Sequence, residues 1–117
     1  MHEMAILDNM LDVINCQMKE HNIKTLKKAK IVVGELTGVV PEVLEFCWQL
    51  SVENSPHEEA VLEIEKVKAV ALCSRCANEY LISLGHACKN CGGGAREILS
   101  GRELYVDYIE GEQVEQP

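Results

Sequence analysis

With 117 residues, 47% of them apolar, and a net charge of -8, the chain is sized for one domain, or one domain with a small appendage, around a modest core. A pI near 4.9 argues against a nucleic-acid partner, because such affinity comes mainly from Lys and Arg neutralising phosphates; proteins or cations suit this charge better. No apolar run approaches the roughly 20 residues that a bilayer span needs. The segment before Lys19 carries Glu3, Asp8 and Asp12 and no basic leader-like region, so the expectation is a cytoplasmic protein with no membrane partner.

On a helical wheel Ile6, Leu7, Met10, Leu11, Val13, Ile14 and Met18 share one broad face, with Asp8, Asp12, Cys16 and Lys19 opposite. This predicts a first helix of about five turns that frays near His21 and Asn22. KIVVGEL then reads as a buried strand closed by Gly34 and Gly38. Pro41 suits a first helical position and Glu42 the positive helix end, giving a second helix with Val43, Phe46, Cys47 and Leu50 expected inward. Ser55 and Pro56 stop it. AVLEIEKVKAVAL alternates as a strand through Leu62, Ile64 and Val67, and RELYVDYIE as another through Leu104, Val106 and Tyr108. The polar tail EGEQVEQP is expected to be disordered.

The fold these elements predict is α+β: two helices packed on a small sheet of about three strands, with a zinc-ribbon-like module inserted between two of the strands. The expected division is residues 1–70 with 99–117 for the α/β domain and 71–98 for the inserted module.

That module carries the strongest local signal. Cys73 and Cys76 form one CxxC pair, eleven residues intervene, and Cys88 and Cys91 form a second, followed by three glycines. Two residues between cysteines let a tight turn aim both sulfurs at one ion while backbone N–H groups donate to the thiolates, and Gly92 permits the positive φ such a turn needs. Four cysteines close a tetrahedral site and leave no position for substrate, which points to structural zinc. A rubredoxin-like iron centre and a redox dithiol are the competing chemistries. His86 could compete as a ligand, although a solvent-facing loop histidine is the favoured reading. Cys47 reads as a small core residue and Cys16 lies on a polar helix face.

The chain opens Met-His-Glu. A free amine at Met1, the amide and imidazole nitrogens of His2 and the amide of Glu3 would form fused chelate rings around one ion, and a square of nitrogens suits Ni(II) or Cu(II) rather than zinc. The first amides of a helix lack intrahelical acceptors, so a metal that takes them breaks no ladder bond. Alone, the tripeptide is a weak signal, and an ordinary exposed histidine is the favoured reading.

The opening MHE, the stretch VGELTGVVPEVLEFCW, the cysteine quartet and the closing SGRELYVDYIE together resemble, in order and over nearly the whole chain, the HypA family of hydrogenase-maturation nickel metallochaperones. The resemblance implies nickel at Met1, His2 and Glu3 and structural zinc at Cys73, Cys76, Cys88 and Cys91. It also implies that the chain is not an enzyme, that it acts as a monomer or weak homodimer, and that its partners are a HypB-type maturation GTPase, the large subunit of a nickel-iron hydrogenase and urease maturation proteins. Some relatives carry histidines beside the CxxC pairs; here Asn78 and Gly92 stand in those regions, which leaves ligand exchange through such histidines unsupported. The chain has no GxxxxGK(S/T) loop, so an energy-driven step would belong to a partner. The rival reading is a zinc-ribbon adaptor that docks proteins without transferring nickel.

Overall fold

The computed structural model describes residues 2–82 and 87–113. Helix α1 spans Glu3–Glu20, the five turns expected, and buries Leu7, Met10, Ile14 and Met18 as one stripe. Val13, expected on that face, is half exposed at its margin. Asn22 ends the helix in the left-handed conformation, with φ 57°, a backbone region that asparagine tolerates better than most residues.

Strand β1 runs Ile23–Gly34 and starts well before the KIVVGEL segment. It is the centre of a three-stranded sheet, ordered β2-β1-β6, in which β2 (Val61–Val67) lies parallel and β6 (Leu104–Gln113) antiparallel. One turn of 3-10 helix, Glu35–Thr37, follows β1 and leads into helix α2, Pro41–Val52. That helix is the crossover a parallel β1–β2 pair requires. Both helices cover one sheet face, where Leu26, Ala29, Ile31 and Val33 meet Leu7, Ile14, Leu44 and Trp48.

The other face is open to solvent and carries a charge ladder. Lys28 pairs with Glu63 at 2.6 Å, and Lys30 with Glu65 at 3.0 Å and Asp107 at 3.4 Å. Both ammonium groups lie over the Tyr108 ring, 5.7 and 5.6 Å from its centre. The Glu63 carboxylate and the Tyr108 hydroxyl push Lys28 up to about 12.

Helix α2 differs from its sequence reading in rotation. Leu44, Cys47, Trp48 and Val52 are its buried residues, whereas Val43, Phe46 and Leu50, expected inward, are 41%, 59% and 50% exposed. Apolar residues occupy two sectors of this helix, so periodicity cannot choose between them. Trp48 decides it: its indole is almost wholly buried and Nε1 donates to the Ala60 carbonyl at 3.3 Å, satisfying its one polar atom.

The single strand expected over AVLEIEKVKAVAL is broken. Chain direction changes at Lys68 and Ala69, after which β3 (Val70–Cys73) joins a second sheet, ordered β4-β3-β5, with β4 at Glu79–Leu81 and β5 at Ala95–Ser100. The first half of the tail departs from expectation as well, since Glu110–Gln113 continue β6 beside Ile23 to Lys28, while 114–117 lie outside the described residues.

The rotation of α2 has a measurable consequence. Leu44→Ala empties a fully buried site and should cost about 2–5 kcal/mol in urea unfolding. Phe46→Ala should change stability by no more than about 0.5 kcal/mol. The reverse order would show that the helix is turned the other way.

Candidate metal centre

The second sheet is small, and its core consists of Ala71, Cys73, Tyr80 and Cys88 with Cys76, Ile82 and Ile98 packed at the margin. Antiparallel pairing of β3 with β4 and with β5 brings the two CxxC turns to one end of the sheet. Cys73 Sγ lies 3.4 Å from Cys91 Sγ, and Cys76 Sγ lies 3.6 Å from Cys88 Sγ. All four sulfurs fall within 4.8 Å of one another. A zinc tetrathiolate with Zn–S bonds of about 2.3 Å has tetrahedral edges of about 3.8 Å, so the arrangement fits such an ion.

The turns supply the donors such a site needs. Arg75 N–H donates to Cys73 Sγ at 3.4 Å, Cys73 N–H to the Asn78 carbonyl at 2.8 Å, Cys88 N–H to Gly93 at 2.9 Å and Gly92 N–H to Cys88 at 2.7 Å. Gly92 has φ 76°, as its place after the second pair predicts; Ala77, in the same place after the first pair, has φ 58°. The backbone N–H groups of Cys76 and Arg75 hold the Cys73 thiol below its ordinary value. The Asn90 side chain, helped by Asn78 N–H, pulls Cys76 down to about 6. Gly93 N–H also favours a Cys91 thiolate, but the Cys73 and Cys76 sulfurs outweigh it and push Cys91 up to about 11. Asn78 and Asn90 as thiolate donors escaped the sequence reading; their positions beside the CxxC pairs were the available signal. His86 and its role lie outside the described residues.

The amino-terminal residues are placed differently. Met1 lies outside the described residues. His2 is the extended residue that precedes α1, with φ -88° and ψ 105°; its side chain makes no capping bond and is exposed, while its carbonyl accepts from Ile6 N–H at 3.1 Å. Glu3 reaches α2, where Oε2 accepts the Val40 N–H at 3.2 Å. That N–H, and then Glu3's own backbone N–H, holds the carboxyl below its usual range. Cys47 is buried as expected and Cys16 is exposed. Among the described residues no helix is long and apolar enough to cross a membrane.

A two-helix α+β body bearing a four-cysteine cluster defines a small protein with a candidate structural metal centre, and comparison with known proteins gives the family. A family model described as "Hydrogenase/urease nickel incorporation, metallochaperone, hypA" matches residues 1–111. The chain is 35% identical over 113 residues to the hydrogenase maturation factor HypA of Moorella thermoacetica, covering 96% of this chain and all of that protein. To the HypA of Desulfosudis oleivorans it is 37% identical over 112 residues, covering 94% and 97%. The solution structure of the Ni metallochaperone HypA from Helicobacter pylori has the same fold, with a TM-score of 0.67 at 17% identity, covering 97% of this chain and all of that one. The chain belongs to the HypA family of nickel-incorporation metallochaperones.

Two variants test the centre. Cys73→Ser should abolish protection of β3 to β5 in amide exchange while α1 and α2 stay protected, because metal binding supplies on the order of 10 kcal/mol in such small modules. Ala77→Gly should raise the stability of the zinc-loaded module by about 1 kcal/mol by relieving a left-handed alanine. Unchanged exchange in the first variant would sink the structural role.

Proposed function

We propose that this chain binds Ni(II) through Met1, His2 and Glu3 and hands it to the maturing nickel-iron hydrogenase, while Cys73, Cys76, Cys88 and Cys91 hold a structural zinc. The observation that carries the zinc half is the four-sulfur cluster, closed and of tetrahedral size. The nickel half is supported by the family and by the environment of His2 and Glu3. The reading treats residues 1–70 with 99–117 as the nickel-binding domain and 71–98 as the zinc module, working in the cytoplasm without catalysis of its own. A HypB-type GTPase, the hydrogenase large subunit and urease maturation proteins are the partners it proposes.

The local geometry suits the proposed ligands. Glu3 is the first residue of α1 and its N–H makes no ladder bond, its partner being Glu3's own carboxylate, so a metal that takes that nitrogen breaks no bond of the helix ladder. The bond that starts the helix uses the His2 carbonyl instead, which no nickel-nitrogen square needs. The Glu3 carboxylate, held at Val40, ties the first residue of α1 to the start of α2. Glu3 therefore contributes a backbone nitrogen to the metal and a side chain to its placement.

Calorimetric nickel titration of untagged protein tests the proposal. His2→Ala removes the imidazole and an added residue before Met1 converts the amine to an amide; each should abolish the tight site. Affinity should also fall on acidification, because nitrogen ligands must be deprotonated to hold a metal and protons compete for them. Undiminished nickel binding by both altered proteins would refute the site.

A further inference from the structure

We propose that the outer side of α2, where Val43, Phe46 and Leu50 lie in one row with Val40 at the helix start, docks an apolar helix of a partner protein whose edges carry lysine or arginine. The inference deepens the nickel-transfer reading and rests on it for the partner's purpose, but the surface itself is argued from exposure and charge. Phe46 is the chain's one phenylalanine and is 59% exposed. Scattered apolar residues on a surface need no explanation. Here the spacing of three and four residues makes a single ridge along the helix, the geometry an incoming helix packs against.

The row adjoins the amino-terminal segment. Val40 N–H holds the Glu3 carboxylate, and Ser51 Oγ lies 3.6 Å from the sulfur of Met4, itself an exposed apolar side chain. A partner seated on the row would therefore lie beside the proposed nickel ligands.

Charge selects the partner. Helix α2 carries Glu42 and Glu45, is followed by Glu53, and contains no Lys or Arg; α1 presents Glu3, Asp8 and Asp12 before its first basic residue, Lys19. Lys66, 3.4 Å from Glu42, reaches the amino-terminal end of this rim, and Lys68 lies with it beside Val39 and Pro41; the rest of the α2 rim is acidic. A basic-edged helix would complement the rim and be steered to it. A second copy of this chain would set the same acidic rim against itself, since a two-fold interface repeats one patch on both sides.

The test uses full-length untagged protein and a fluorescent amphipathic helical peptide with leucines on one face and lysines at its edges, followed by anisotropy. The lysine-edged peptide should bind, and the same peptide with glutamates at its edges should not. Phe46→Ser with Leu50→Ser should weaken binding at least tenfold at physiological salt, and Glu45→Lys with Glu53→Lys at least tenfold at low salt. Val13→Ser, which removes an equally exposed apolar side chain from α1, should leave binding unchanged. Nickel titration separates the two proposals, since Phe46→Ser with Leu50→Ser should keep nickel, and His2→Ala should lose nickel while keeping the peptide. Equal peptide affinity in wild type and both double variants, equal weakening by Val13→Ser, or a wild-type dimer that Phe46→Ser with Leu50→Ser dissociates in sedimentation would overturn the proposal.

Discussion

The close crossing of Gly34 and Gly101 is the constraint on which the arrangement of the molecule depends. Any side chain on Gly34 would strike the Gly101 carbonyl, and Gly101 itself has φ 114°, a conformation that favours glycine. The crossing is stitched by backbone bonds, with Gly34 N–H donating to Glu103 at 2.6 Å and Leu36 N–H to Gly101 at 2.7 Å. Beside it the Glu35 carboxylate accepts Ala69 N–H at 3.1 Å, and Ser100 Oγ donates to the Lys68 carbonyl at 2.8 Å. Both chain segments that connect the two sheets pass through this point. The same stretch sets the start of α2, because Thr37 Oγ1 donates to Gly34 at 2.8 Å and accepts from Val39 N–H at 3.2 Å, one residue before the amide that holds Glu3.

Features legible in the sequence were those written locally. A CxxC pair is a turn that aims two sulfurs whatever surrounds it, so the quartet could be read without knowing the strands that carry it. Pro41 likewise marked the first residue of α2 because its fixed φ and missing N–H suit that position alone. The first stripe of α1 was legible for a similar reason, since polar residues fill the opposite face.

What the sequence hid was set by contacts between distant segments. The front half of β1 looks unlike a strand because Lys24, Lys27 and Lys28 interrupt its apolar residues, yet Lys28, like Lys30 after it, faces an open sheet surface, and the two meet Glu63, Glu65 and Asp107 across the ladder. Exposed pairs of this kind add little stability, so they report a solvated face rather than a driving force. The tail was misread likewise: Glu110 to Gln113 are polar, but β1 supplies their backbone partners. Helix α2 was ambiguous because apolar residues fill two of its sectors, and only the Trp48–Ala60 bond selects one.

The two sheets differ in what can hold them together. The larger buries leucine, isoleucine, valine and tryptophan from both helices and three strands, an apolar core of ordinary kind. The smaller has four buried core residues, and two of them are cysteines. Burial of Ala71 and Tyr80 with two thiols cannot offset the entropy of ordering three short strands and two tight turns. Four bonds to one ion, made by residues drawn from both turns, would supply that energy and fix the turns at once. The quartet is therefore the core of its sheet as well as its candidate metal centre, and four cysteines closed around one ion would leave no position for a substrate.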